Sequence, residues 1–166
     1  TTLQIGAHCT IREGVTMNPG TAGGGNATTV GDHCTFLVHS HVAHDCKVGN
    51  RVIFSNNVML AGHCTVGDYA ILGGGAGVHQ FVRIGEHAMT GMGTTLLQDV
   101  PPFATVSGNP AQARGFNLEG LKRRGFSPER VAAVKQMHRL IYRSGLTLDA
   151  ARAGLSELSE KIPEAK

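Results

Sequence analysis

The chain has 166 residues, with hydrophobic residues at 41%, aromatics at only 5% and a formal net charge of +3. That length holds one domain, or a repeat array with a small appendage. No apolar run approaches a membrane span and nothing at the N-terminus reads as a signal peptide, so a cytoplasmic protein is expected.

In chain order, two six-residue units come first, at 5–10 and 11–16. A bare solenoid end is an aggregation liability, so further residues are expected upstream. Residues 18–29 follow, with Pro19, Gly20, Gly23, Gly24 and Gly25. They are too rich in Gly and Pro for a rung and read as a loop extruded from a solenoid wall. Repeat proteins often place function in such loops, although a plain insertion fits the composition nearly as well.

Twelve hexads then run from Val30 to about Pro101. Their first residues are Val30, Phe36, Val42, Val48, Phe54, Leu60, Val66, Leu72, Val78, Ile84, Thr90 and Leu96, and eleven of these are apolar. Four places later stands a small or β-branched residue each time, from Cys34 and Ser40 to Val100. This period matches neither a helix face nor a simple strand, and it signals a stacked β-solenoid. Cys34, Cys46 and Cys64 fill the small inward position, as does Cys9 earlier, and act there as small hydrophobes. With no C-x-x-C pair, a zinc ribbon has little support. Cys46 and Cys64 stand one coil apart, which alone does not make them a disulfide.

The period stops after Asp99-Val-Pro-Pro102, and Ser107-Gly-Asn-Pro110 reads as a turn. Residues 1–102 are thus read as the solenoid, and 103–166 as a turn-rich linker followed by an α-helical domain. One helix takes Ser127 as N-cap and Pro128 at its first position, presents Val131, Val134, Met137, Leu140 and Ile141 on one face, and stops by Gly145. Another starts at Thr147 and carries Leu148, Ala151, Leu155 and Leu158 before Pro163. A helical tail can cover an open last rung. Between 115 and 145, seven Lys or Arg (Lys122, Arg123, Arg124, Arg130, Lys135, Arg139, Arg143) stand against Glu119 and Glu129, a net +5. The partner surface for an acidic molecule is expected there.

If three hexads make one triangular coil, residues 18 apart stack at about 4.8 Å. His44 then lies under Gly62 and Gln80, and Asp45 under His63 and Phe81. His41, His44, Asp45, His63, His79 and Gln80 fall on one edge of three coils. His8, His33 and His87, at outward turn positions, read as surface residues, and His39 and His138 carry no function. A lone His41 or His63 would mean little; the alignment is the signal. Two chemistries fit: a neutral His acting as general base beside a carboxylate, or several His holding Zn²⁺. Adjacent His44 and Asp45 favour the first, provided that a coil corner turns both to one side.

The hexads, His41-Val-Ala-His-Asp-Cys46, Leu60-Ala-Gly-His63, Val78-His-Gln80, Gln98-Asp-Val-Pro-Pro102 and Asn117-Leu-Glu-Gly-Leu-Lys-Arg-Arg-Gly125 together resemble the acyl-carrier-protein-dependent UDP-N-acetylglucosamine O-acyltransferases of lipid A synthesis. Many acyl- and acetyltransferases share hexads, so the last stretch and the tail carry the specificity. The resemblance implies a mainly β chain, a left-handed parallel β-helix with a small α-helical C-terminal domain, an exception to right-handed crossovers. It implies a homotrimer with active sites between subunits, and no cofactor or metal beyond the carrier-protein thioester as co-substrate. Its partners would be UDP-N-acetylglucosamine and an acidic acyl carrier protein at the basic segment 115–145, with no nucleic acid and no membrane span. His44 would be the base, Asp45 its orienting group, and Gly62 the backbone donor to the oxyanion. No acyl-enzyme would form. His41, His63, His79, Gln80, Asn117, Glu119, Arg123 and Arg124 would bind substrate, the arginines suiting phosphate oxygens. The family has a further upstream stretch of solenoid that helps bind substrate and is absent from this sequence.

The sister N-acyltransferase of the same pathway shares the hexads, and the Asn117–Gly125 motif argues against it. A γ-type carbonic anhydrase, also a trimeric left-handed helix with interface histidines, would need metal. An inert scaffold is the third alternative. Under the resemblance Met92 occupies the position that closes the far end of the acyl groove, where bulk favours a shorter chain. Met92→Gly is therefore expected to shift preference toward longer acyl groups in competition assays with carrier proteins of several acyl lengths; unchanged selectivity would contradict that role.

Overall fold

A computed structural model describes residues 1–161, which form 17 strands and three helices. The main body is built from strands of mostly two residues, one per hexad: β1 (Thr2–Ile5), β2 (Thr10–Ile11), β3 (Thr16–Met17), β4 (Ala27–Val30), β5 (Thr35–Phe36), β6 (His41–Val42), β7 (Lys47–Val48), β8 (Ile53–Phe54), β9 (Met59–Leu60), β10 (Thr65–Val66), β11 (Ile71–Leu72), β12 (Gly77–Val78), β13 (Arg83–Ile84), β14 (Met89–Thr90) and β15 (Thr95–Leu96), with the longer β16 (Ala104–Ser107) and β17 (Gln112–Phe116) after them. They stack in three parallel sheets, ordered β1-β4-β7-β10-β13, β2-β5-β8-β11-β14-β16-β17 and β3-β6-β9-β12-β15. Only β16–β17 is antiparallel. From β4 to β15 the register is one coil of 18 residues, as in Lys47↔Thr65↔Arg83. The resemblance's parallel β-helix is the observed architecture.

The hexad positions explain the packing. Both the first and the fifth residue of each of the twelve units are buried, from Val30 and Cys34 to Leu96 and Val100. Two-residue strands suffice because each is followed by a sharp corner. The fourth residue of nearly every unit has positive φ: His33, His39, Asp45, Arg51, Asn57, His63, Tyr69, Phe81 and His87 lie between 55° and 68°, with Gly75 and Gly93 at the remaining two corners among those up to 93. Such a conformation is uncommon outside Gly, Asn, Asp and His, and here the coil-to-coil hydrogen bonds hold it. Cys34, Cys46 and Cys64 are buried free thiols, whereas Cys9 is only half-buried.

Three local expectations change. The extruded loop is shorter than 18–29, since Ala27, Thr28 and Thr29 belong to β4 and Thr28 is fully buried. Across the loop the register Ile5↔Val30 spans 25 residues, seven more than a later coil. Beyond Pro102 the wall continues: β16 (Ala104–Ser107) pairs with β14 and β17 (Gln112–Phe116) folds back on it. There Ala104 and Val106 are buried with Thr105 and Ser107 half-buried, so a period of two replaces the period of six and the hexad pattern cannot register it. His87 is not a surface residue. It is buried between Tyr69 and Phe103, with centroids at 4.8 and 5.6 Å and nearly parallel planes. Aromatics one coil above and below make that outward corner a stack.

The chain divides into two compact units, Thr1–Asn117 and a second beginning at Leu118. The second holds α1 (Leu118–Arg123), α2 (Pro128–Tyr142) and α3 (Leu148–Lys161). Ser127 caps α2, its hydroxyl accepting from the Arg130 amide, and Thr147 receives the Ala150 amide at the start of α3. Ala133, Val134, Ala151 and Leu158 are buried, whereas Ile141, expected on the apolar face, is exposed. Pro163, the expected stop, lies outside the described residues.

The two largest rings of the β-helix core sit on adjacent coils: Phe36 and Phe54 are fully buried with centroids 5.1 Å apart, edge to face. Phe54→Ala is expected to lose about 3–5 kcal/mol in urea denaturation, because flanking coils tied by backbone hydrogen bonds cannot collapse into the void. A loss below about 1 kcal/mol would contradict this rigid packing.

Candidate active site

His44 and Asp45 stand at the corner between β6 and β7, in the coil below the corresponding corner at Gly62 and His63. The main chain ties these levels, with the His63 amide donating to the His44 carbonyl at 3.0 Å and the Phe81 amide to the Gly62 carbonyl at 3.1 Å. Neighbouring side chains on a flat strand would diverge. Here Asp45 takes φ 60°, and the corner brings His44 Nδ1 to 2.8 Å from Asp45 Oδ2. The expected convergence is observed.

The Asp45 side chain is shielded from solvent while that of His44 is 43% exposed. A buried carboxylate needs donors, and it has them. Thr21 of the extruded loop supplies two, its amide to Oδ1 at 2.9 Å and its hydroxyl to Oδ2 at 2.7 Å. The Asp45 amide in turn donates to Thr28 Oγ1 at 2.7 Å. The Thr21 hydroxyl is the main influence holding the Asp45 carboxyl down at about 2, against burial; its amide and His44 add to the effect. An ionised carboxylate only accepts, so His44 Nδ1 carries the hydrogen and a neutral ring keeps its lone pair on Nε2.

Gly62 lies against that ring: a Cβ built there would fall 2.8 Å from His44 Cε1 and 2.9 Å from Nε2. Any side chain would displace the imidazole or block its Nε2 face. His63 stands edge-on to His44 with centroids 5.1 Å apart, its Nε2 4.0 Å from Asp45 Oδ2, and it stacks on Phe81 at 4.7 Å. His44, Asp45 and His63 bring ligand-type atoms within 4.8 Å of one another, the one such group among the described residues. Its carboxylate is already engaged by Thr21 and His44, and His44 Nδ1 points at Asp45 rather than at a shared centre.

Beside this corner runs a groove of about 490 Å³ on the outer face of the third sheet, lined by His41, Ala43, Met59, Leu60, Ala61, Gly62, Gly77, Val78, His79, Thr95 and Leu97. Its floor is two vertical columns at the coil spacing, His41–Met59–Gly77–Thr95 and Ala43–Ala61–His79–Leu97. The wall is mainly apolar, and Met59 and Leu97 remain more than half exposed. His41 Nδ1 lies 2.7 Å from Thr16 Oγ1, and His79 Nδ1 lies 3.2 Å from the Gln80 carbonyl oxygen.

Of the residues singled out from sequence, His41, Gly62 and His79 line the groove and His44, Asp45 and His63 form the adjoining cluster. Gln80 follows at the next corner and is exposed. Met92 is 86% exposed and outside the groove lining, so in this chain alone it closes nothing. Asn117 is buried, its side-chain amide donating to the His87 carbonyl at 3.0 Å. Glu119, Arg123 and Arg124 belong to the helical unit, where Glu119 pairs with Lys122 at 3.1 Å. Thr21, Met59 and Leu97 are not apparent from motifs. The two groove residues could have been found by extending the 18-residue alignment to outward positions, whereas Thr21 sits in a loop outside any register.

A family profile described as UDP N-acetylglucosamine O-acyltransferase, domain 2, matches residues 99–166. An acyl-[acyl-carrier-protein]–UDP-N-acetylglucosamine O-acyltransferase of Paracidovorax citrulli is 56% identical over 165 residues, covering 99% of this chain and 63% of that protein. The same-named enzyme of Ectopseudomonas mendocina is 50% identical, with 99% and 64% covered. Among solved structures, the UDP-N-acetylglucosamine O-acyltransferase of Moraxella catarrhalis superposes with a TM-score of 0.94 at 42% identity, over 99% of this chain and 64% of that one. The Arabidopsis UDP-N-acetylglucosamine acyltransferase gives 0.87 at 35% identity, over 98% and 59%. The chain thus spans slightly less than two thirds of the relatives it matches.

The depressed Asp45 carboxyl has a consequence for acid stability. Its ionised form contributes stability in full above the ordinary value of 3.8, and that contribution is lost as pH falls toward about 2. Asp45→Asn is expected to flatten the thermal midpoint against pH over that window, read by circular dichroism. An unchanged acid slope would show that Asp45 is not clamped as described. In sequence and in fold, nearly the whole of this chain is thus similar to a stretch of proteins named acyl-[acyl-carrier-protein]–UDP-N-acetylglucosamine O-acyltransferase.

Proposed function

We propose that this chain carries the catalytic corner of an enzyme that moves an (R)-3-hydroxyacyl group from an acyl carrier protein to the glucosamine 3-hydroxyl of UDP-N-acetylglucosamine, the first step of lipid A synthesis. The observation that carries the reading is the imidazole of His44, fixed through Nδ1 by the buried Asp45 carboxylate with Nε2 against the side-chain-free Gly62. Nε2 takes the proton of the sugar hydroxyl as its oxygen attacks the thioester carbonyl. The charge gathers on the former carbonyl oxygen, where the Gly62 amide is the proposed donor. Collapse expels the carrier thiolate, which takes the proton back from the imidazolium. Asp45 steadies that cation, and no covalent enzyme intermediate, metal or cofactor is required.

The apolar groove supports an acyl chain as the ligand beside this corner, and His41, His63, His79 and Gln80 are the proposed contacts to the sugar and phosphates. Asn117, Glu119, Arg123 and Arg124 are proposed near the nucleotide. Exposed Met59 and Leu97 on the groove wall, with exposed Met92 in the turn between β14 and β15, support a site completed by a second copy in a homotrimer, since exposed apolar side chains favour cover. The excess of Lys and Arg over 115–145 fits an acidic carrier protein. In the described residues no helix is long and apolar enough to cross a membrane.

His44→Ala is expected to lower the rate of acyl transfer from 3-hydroxyacyl carrier protein to UDP-N-acetylglucosamine by roughly two to four orders of magnitude. Full activity would remove His44 as the base. Metal analysis of the purified protein accompanies it: one zinc per chain, lost in the same variant, would favour hydration chemistry of the carbonic-anhydrase type on the His44, Asp45 and His63 group instead.

A further inference from the structure

We propose that the loop over residues 18–26 is a positioning device for the base, and that Thr21 is its positioning residue, locking the Asp45 carboxylate so that one oxygen aims at His44. This inference rests on the reading of His44 as the base and extends its machinery to a segment with no place in the repeat.

A carboxylate is free to rotate about its Cβ–Cγ bond unless both oxygens are engaged. Thr21 engages both, its amide on Oδ1 at 2.9 Å and its hydroxyl on Oδ2 at 2.7 Å. The plane of the carboxylate is thereby set, and Oδ2 receives His44 Nδ1 at 2.8 Å. Thr21 is itself immobilised: its carbonyl accepts from the Gly24 and Asn26 amides, both at 3.0 Å. The mouth of the loop is closed on the first strand, the Gly20 amide donating to the Thr2 carbonyl at 3.0 Å and the Thr2 amide to the Asn26 carbonyl at 2.7 Å.

Gly24 supplies the second half of the device. A Cβ at this position would overlap the Asp45 carboxylate, so only glycine lets the loop close over it. The same seven extra residues that break the 18-residue register are therefore folded onto the one buried carboxylate of the site. A merely flexible insertion would have no reason to spend an amide, a hydroxyl and a glycine on one side chain. Because the hydroxyl also withdraws charge from Oδ2, the latch governs how strongly Asp45 favours the imidazolium. His44 faces Asp45 and, edge-on, His63.

The test compares the wild-type chain with Thr21→Val, Thr21→Ser and Gly24→Ala. It uses nitrogen-15 NMR titration of His44 without substrate, and kcat and KM against pH in the acyl-transfer assay. Thr21→Val is expected to lower kcat by about ten- to a hundredfold, the range of a hydrogen bond to a charged group, with KM nearly unchanged. It is also expected to displace the His44 titration curve, since the carboxylate that faces Nδ1 loses a donor on Oδ2 and its fixed plane. Thr21→Ser should recover most of kcat and the wild-type titration, and Gly24→Ala, which lifts the loop by steric overlap, should reproduce the Val phenotype. Wild-type kcat and wild-type His44 titration in Thr21→Val would overturn the proposal. If His44→Ala keeps full activity, the base reading fails separately, and the NMR titration alone decides the latch: a ring unaffected by Thr21→Val overturns it.

Discussion

The hydrogen-bonded register between coils is the constraint on which everything else in this molecule depends. Each two-residue strand is too short to persist alone and exists because its neighbours one coil away satisfy its amides and carbonyls. That ladder imposes the inward small and apolar positions, and it makes left-handed backbone tolerable at corners occupied by His, Asp, Tyr and Phe. It also turns a periodic wall into a ruler. Side chains far apart in sequence meet at strand spacing, so the His44 ring lies against Gly62 and His63.

A ruler alone would not make the corner reactive. The corner also buries a carboxylate, which is costly unless every oxygen is matched. The loop that interrupts the repeat resolves this by bringing Thr21 across 24 residues of chain to Asp45. Regular and irregular parts of the chain thus divide the labour: coils set distances, and the insertion engages both oxygens of the carboxylate behind the imidazole. The apolar columns of the third sheet extend the same spacing into a mainly apolar groove.

Much of this was legible in the sequence. The period of six exposes the inward positions without error over the twelve hexads, and its triple exposes the pairing of His44 with Gly62 and Asp45 with His63. What stays hidden lies where the period lapses. Thr21 belongs to an insertion whose path depends on three-dimensional closure. β16 and β17 switch to alternation over too few residues to stand out between prolines and glycines. His87 shares its outward corner with His33, yet is buried because Tyr69 and Phe103 happen to flank it one coil away. Single-position reasoning places it on the surface; the column containing it does not. Met92 marks the opposite limit: its place in the hexad is plain from the sequence, and the fold leaves it 86% exposed.

The central claim is that the coil spacing presents His44 Nε2 to a sugar hydroxyl next to Gly62. A structure of the protein bound to UDP-N-acetylglucosamine tests it most directly. The 3-hydroxyl oxygen is expected within about 3.2 Å of His44 Nε2, with the Asp45 and Thr21 contacts unchanged. A sugar bound with that hydroxyl turned away from His44, while the imidazole remains hydrogen-bonded to Asp45, would contradict it.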